Sequence, residues 1–213
     1  MTQLPEALAA TWGPGAASCE GEVIGSQART KGINLVHAPT VTIVRVPQWS
    51  RTFESLGEDA YLTGLMASAE VDGIQGSGTM VKHYAVYAPE TYRNTAVDNA
   101  TVGDKTLQEI YLRAWDQTVD RAQPASIMCS YATVNGTAAC QNAALIRGHL
   151  DGTLHFPGFV GSDYYATHST VPSVEAGLDQ EQPLAAYLGP ALVTAPIEFG
   201  DLHSAHIRRA ALS

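Results

Sequence analysis

The sequence predicts an α/β fold built on parallel strands. Three observations predict it. Short apolar runs rich in Val, Ile and Met recur along the chain, segments of helical period lie between them, and polar or ionisable residues fall at the ends of the runs. Such runs read as strands buried on both faces, and their alternation with helices is the pattern of a parallel sheet with crossover helices.

In chain order, a helix is expected from about Gly15 to Thr30, followed by a strand in "GINLVHAPT", Gly32–Thr40. A charged loop, "VRVPQWSRTFESLGED", runs from Val44 to Asp59 and leads into a helix from about Asp59 to Gln75. The second strand is "GTMVKHY", Gly78–Tyr84. The clearest helix spans about Asp104 to Gln123. Its Leu107, Ile110, Tyr111, Ala114, Trp115, Thr118, Val119 and Ala122 recur in steps of three and four and share one stripe, and Asp104 reads as its N-cap. Two further strands follow, "ASIMCSY" at Ala125–Tyr131 and "GFVGSD" at Gly158–Asp163. "EAGLDQEQP", Glu175–Pro183, is a fifth and weaker one.

With 213 residues, 45% of them hydrophobic and 15% charged, the chain is expected to form a single domain over residues 1–213 around one core. A formal net charge of -9 argues against nucleic acid or an anionic membrane as partner. No apolar run approaches the roughly 18 residues of a membrane span. The N-terminus, "MTQLPEALAATWGPG", lacks a basic n-region and apolar core, so no signal peptide is expected and the cytoplasm is favoured.

Three cysteines do not make a disulfide framework. Cys19 is expected to be a buried helix residue. Cys129 and Cys140 flank a turn at Asn135-Gly136, and are either two reduced thiols or the ends of a closed loop in an oxidising compartment. His203 and His206 lie on one potential helical face but lack a third ligand, so no metal site is expected. No phosphate-binding Gly-rich loop and no GxSxG elbow is present, and no cofactor is expected.

Chemistry in parallel α/β folds gathers at the C-terminal ends of strands. Lys82 and His83 close the second predicted strand, Tyr131 the third and Asp163 the fourth, so these four groups would face one pocket. The upstream loop adds Arg45, Arg51, Glu54, Glu58 and Asp59 around Trp49 and Phe53. Forked charged groups beside aromatic rings suit a sugar, whose hydroxyls need donors and acceptors and whose ring faces stack. Lys82 alone would also fit Schiff-base chemistry, but the arginines and His83 around it read better as hydroxyl ligands.

In these segments the chain resembles the N-terminal barrel domain of glycoside hydrolase family 3, on its β-glucosidase side. The segments are "ARTKGINLVHAPTVTIVRVPQWSRTFESLGEDAYLTG", "VKHYAVYAPETYR", "IMCSYATVNGTAACQN", "GFVGSDYYAT" and "AGLDQEQP", in the family order. The resemblance implies a (β/α)8-like TIM barrel, incomplete or reduced here, and a retaining glycosidase acting on β-linked glucosides. It implies that Asp163 is the nucleophile that forms a covalent glycosyl-enzyme, kept ionised by nearby cations. Arg51, Lys82, His83 and Arg93 match positions that bind hydroxyls of the first-subsite sugar. Met128 and Tyr131 match positions lining that subsite, and Tyr164 would sit beside the glycosidic bond.

The chain departs from the family pattern in places. Tyr164 stands where the family usually has Trp, Ser50 replaces a Gly, Val46 an Asp and Ala60 a Pro. The "DGP" segment of the family's first strand is not found before "LPEALAATW". The family's acid/base is a glutamate on a downstream α/β domain. Within this chain Glu90 is the first candidate for that role, followed by Glu54, Glu58 and Glu181, without support from a family motif. Five strands do not close an eight-stranded barrel, and open sheet edges invite pairing. The expectation is therefore a reduced closure, a homo-oligomer or a fragment missing its C-terminal α/β domain. The alternative function is a sugar-binding module that kept the pocket and lacks the acid/base.

Overall fold

The computed structural model describes residues 4–198. Pro starts the first two helices, α1 (Pro5–Ala9) and α2 (Pro14–Thr30), where its fixed φ suits the first turn and its missing N–H costs nothing. Cys19, on α2, is exposed and not buried as expected, because α2 buries its smallest residues instead: Ala17, Gly21, Gly25 and Ala28. They let α2 lie against α3 (Ala60–Ile74) so closely that a Cβ at Gly73 would collide with the Ser18 carbonyl. The Asp59 carboxylate caps α3, accepting a hydrogen bond from the Leu62 N–H at 2.6 Å.

Four parallel strands, β1 (Leu35–Val36), β2 (Gly78–Tyr84), β4 (Ser126–Cys129) and β7 (Phe159–Ser162), make the main sheet in the order β1-β2-β4-β7. Among the described residues this sheet is open: it is part of a barrel wall and does not close. β2 has the predicted bounds. β1 is shorter than predicted, because Pro39 lacks an N–H and the chain rejoins the sheet only at a Thr40–Lys82 bridge. The fifth predicted strand is not one: its first residues finish helix α6 (Val171–Ala176), and only Gln180 bridges to Gly161.

A second small sheet, β3 (Asn99–Ala100), β5 (Thr133–Val134) and β6 (Thr137–Ala138), carries the Asn135-Gly136 turn. The long predicted helix is observed as α4 (Asp104–Thr106), a wide-turn π segment at Leu107–Leu112, and α5 (Arg113–Ala122). Gly103, not Asp104, holds the N-cap position. The extra residue per turn in the π segment rotates Ile110 outward, 39% exposed, and brings Leu112 into the core in its place. A last helix, α7, spans Pro190–Glu198. His203 and His206 lie outside the described residues.

The core forms between the sheet and α2, α3 and α5, around Val81, Ile127, Val160, Met66, Val71 and Trp115. Because the strands of the main sheet are parallel, their C-terminal ends open on one side. There Cys129 and Cys140 are joined in a disulfide, which settles the alternative left by the sequence and agrees with an oxidising environment.

Candidate active site

Asp163 follows directly on β7. Its N–H donates to the Cys129 carbonyl at 3.0 Å, which fixes the residue to the end of β4. One carboxylate oxygen, Oδ1, accepts from the Tyr164 N–H at 2.7 Å. The other, Oδ2, is buried and has no partner within hydrogen-bond geometry among the described residues. The side chain is thus tied to the main chain through one oxygen, while the other faces His83 and the carboxyl feels the Tyr131 hydroxyl.

Around Oδ2 stand the groups singled out from the sequence. His83 Nε2 is 3.5 Å away. Burial, then the charges of Arg51, Lys82 and Arg93, hold the His83 pKa well below its ordinary value, so the imidazole is neutral and this contact is not an ion pair. Arg51 Nη2, which can only donate, lies 3.1 Å from the same Nε2, so Nε2 is the acceptor. The ring proton then sits on Nδ1 and points to Thr42 Oγ1 at 3.3 Å. The peptide bond Lys82–His83 is cis.

Arg51 is gripped by Glu54 through two hydrogen bonds, Nε to Oε1 at 3.1 Å and Nη2 to Oε2 at 2.9 Å. Lys82 Nζ reaches the same Oε2 at 3.5 Å. Burial pushes the Glu54 carboxyl up, but the hydrogen bond from Arg51 and the charge of Lys82 outweigh it and hold the carboxyl below its ordinary range. Glu90 is clamped more fully. Oε1 accepts from the Tyr87 hydroxyl at 2.6 Å and from Trp49 Nε1 at 3.1 Å, and Oε2 from Arg93 at 2.7 Å.

The aromatic wall is continuous. Trp49, His83 and Tyr131 each meet Tyr87 edge-on, with centroids 5.9, 5.2 and 5.7 Å away. The Arg93 guanidinium lies 4.7 Å over the Tyr131 ring. The Tyr131 hydroxyl faces Asp163; burial and that carboxylate push its pKa to about 12. Met128 is buried in β4, and Tyr164 stands on the rim, 48% exposed.

The pKa of Asp163 itself corrects the expectation that cations hold it down. Burial raises it above the ordinary value and wins over the opposing effects of the Tyr164 N–H, the Tyr131 hydroxyl, Arg51 and Lys82. Three groups were not seen in the sequence. Tyr87 and Thr42 carry no positional signal. His37, half-buried and directly beyond β1, feels the charges of both Lys82 and Asp163. The strand-end rule would have selected it had the first strand been ended at Val36 instead of Thr40.

An open parallel sheet with ionisable and aromatic groups at its strand ends defines an α/β protein of the barrel class with a polar site at those ends. The model of the glycosyl hydrolase family 3 N terminal domain matches residues 1–187, and the chain belongs to that family. Beta-glucosidase B of Emericella nidulans is 40% identical over 178 residues, 83% of this chain and 21% of the relative. A beta-glucosidase of Rhizobium radiobacter is 37% identical over 179 residues, 83% of this chain and 22% of the relative. Among solved structures, beta-glucosidase 3B from Thermotoga neapolitana in complex with glucose superposes with a TM-score of 0.91 at 31% identity, over 98% of this chain and 30% of that one. The chain therefore spans about a fifth to a quarter of the length of the curated relatives it matches.

Proposed function

We propose that this chain is the nucleophile-bearing part of a retaining β-glucosidase. The observation that carries the reading is Asp163, whose buried Oδ2 lacks a hydrogen-bond partner among the described residues, at the strand end where the sheet gathers its polar groups. In the first step Oδ2 attacks the anomeric carbon, the bond to the leaving oxygen breaks, and a glycosyl ester forms. Water then displaces the ester and returns Asp163 as a carboxylate. Arg51, Lys82, His83 and Arg93 bind the hydroxyls of the sugar, with Met128, Tyr131 and Tyr164 lining its surroundings.

The partition of roles among the carboxylates follows from their contacts. A general acid needs an oxygen free to carry and deliver a proton. Both oxygens of Glu90 already accept hydrogen bonds, and both of Glu54 accept from Arg51. These two glutamates therefore organise the cations and are not the acid/base. The same engagement supports a second reading, a sugar-binding module whose turnover has been lost.

A 2-deoxy-2-fluoro-β-glucoside with an activated leaving group tests the assignment. It should label Asp163, located by peptide mass spectrometry, and Asp163→Asn should abolish labelling while leaving the melting transition in place. Labelling of another carboxylate would overturn the assignment. An absence of labelling, with glucose still bound, would select the binding module.

A further inference from the structure

We propose that His149 is a positioning residue: through the Tyr84 hydroxyl it holds β2 in the register that turns both Lys82 and His83 into the site. The inference rests on the sugar-site reading above and adds to it a group outside the pocket.

Adjacent residues of a regular strand point to opposite faces, yet Lys82 and His83 serve one cluster. Lys82 Nζ reaches Glu54 Oε2 at 3.5 Å, and His83 Nε2 lies 3.1 Å from Arg51 Nη2, which donates to that same Oε2. A bulge makes this possible. Val81 pairs with Ile127 and Tyr84 with Cys129, so β2 takes three steps where β4 takes two. The main chain agrees. The Lys82 N–H donates to the Pro39 carbonyl at 3.0 Å and the His83 N–H to Thr42 Oγ1 at 3.1 Å, both toward the segment that follows β1, whereas successive N–H groups of a regular strand alternate between its two neighbours. Val81 and Tyr84, on either side of the bulge, consequently both belong to the core on the helix side.

A slip that removed the bulge would send His83 to the helices and Tyr84 to the pocket. What opposes the slip is the fit of Tyr84. Its ring is fully buried and meets Trp115 of α5 edge-on, with centroids 5.1 Å apart. Packing alone would accept a Phe; the hydroxyl is the part that requires one place. It donates to the Leu145 carbonyl at 3.0 Å and lies 2.8 Å from His149 Nδ1, both on the π segment at Ala144–Asp151. A buried hydroxyl without partners is costly, and this one has them only while Tyr84 faces the helices. His149 is itself buried, and its Nε2 stands 2.9 Å from Asp116 Oδ1 of α5, at ion-pair distance but outside the direction of a hydrogen bond. From Tyr84 the hold passes directly to the site: His83 precedes it, and its carbonyl accepts the Ser130 N–H at 2.6 Å, beside Tyr131.

The test compares variants by two readouts, glucose affinity from calorimetry and the imidazole NMR resonances of His83. His149→Leu removes the partner of the hydroxyl, and His149→Asn keeps a polar atom in the place of Nδ1. Val71→Ala opens a gap in the core on α3, away from the bulge. His149→Leu should weaken glucose binding by about threefold to tenfold, the range of one buried hydrogen bond, and shift the His83 resonances. His149→Asn should restore most of the affinity, and Val71→Ala should lower the melting temperature with affinity unchanged. In a His83→Ala background the loss caused by His149→Leu should shrink below about twofold, because a positioning effect needs the group it positions. Tyr84→Phe, which keeps the ring against Trp115, should repeat the result and takes the place of His149→Leu if that variant does not fold. Unmoved His83 resonances, an equal affinity loss in Val71→Ala, or an undiminished loss in the His83→Ala background would each overturn the proposal. A wild type that does not bind glucose would instead count against the sugar-site reading, and the His83 resonances would still decide the positioning.

Discussion

Glu70 gives the sharpest stability prediction. This α3 residue is 4% exposed, lines a cavity of about 450 Å³ with Glu20, His37 and Lys82, and its Oε2 has no hydrogen-bond partner among the described residues. Burial, and then the charge of Glu20, push its pKa to about 8 from 4.5. A carboxyl whose folded pKa is raised contributes stability that is fully present below the unfolded pKa, here 4.5, and is lost as pH climbs through the folded value of about 8. At pH 7 the unfolded chain has about 2.5 pH units of ionisation that the folded chain lacks. At about 1.4 kcal/mol per unit, that is a loss of roughly 3.5 kcal/mol relative to a group that never ionises. Glu70→Gln is such a group. Its amide leaves a buried donor unpaired, which gives back about 1.5 kcal/mol, so a net gain of about 2 kcal/mol is expected at pH 7. Urea unfolding of both proteins at pH 5, 6, 7 and 8 measures it. The variant should be no more stable than the wild type at pH 5 and gain on it at each step, with a melting temperature raised by roughly 4–8 °C at pH 7. Parallel stability curves, or a variant less stable at pH 8, would refute the reasoning.

Tyr131→Phe should move the acid limb of Asp163 labelling to higher pH. The hydroxyl opposes the upward push of burial on that carboxyl, and the remaining ionisable groups around it, Arg51, Lys82, His37 and His83, are unchanged; a limb that stays put or falls would remove Tyr131 from contact with Asp163. Lys82→Ala should weaken glucose binding at least about tenfold, as expected for a charged hydrogen bond worth roughly 1.5–3 kcal/mol. Unchanged calorimetric affinity would take Lys82 out of the sugar site.

What the sequence made legible follows from which signals are local. β2 was found with its observed bounds because its apolar run ends abruptly at Lys82-His83, and the same break placed two site residues on a strand end. α3 was expected to begin at about Asp59, and that residue caps it through its own side chain. The first strand was overrun because apolarity continues through Pro39, where the ladder of hydrogen bonds cannot. Ile110 was assigned inward because a period of 3.6 was assumed where the helix winds more widely. The fifth strand failed because its apolar residues serve a helix end and a single bridge.

The acidity of Asp163 belongs to a different order of information. From the sequence, three cations and one carboxylate suggested that charge would dominate and keep the carboxylate acidic. In space each cation is already engaged: Arg51 and Lys82 by Glu54, Arg93 by Glu90. A cation paired with a nearby carboxylate presents little net charge to a third group, so its Coulombic pull on Asp163 is weakened, whereas desolvation acts on Asp163 undiminished. Burial therefore prevails, and the carboxyl is raised. Under the proposed function, the two glutamates would affect the nucleophile without touching it: by engaging Arg51, Lys82 and Arg93 they also keep those charges from over-stabilising the carboxylate. An anion held too firmly by its surroundings is a weaker nucleophile, so in the proposed reaction such an arrangement would keep the cations for the hydroxyls of the sugar and leave Oδ2 reactive.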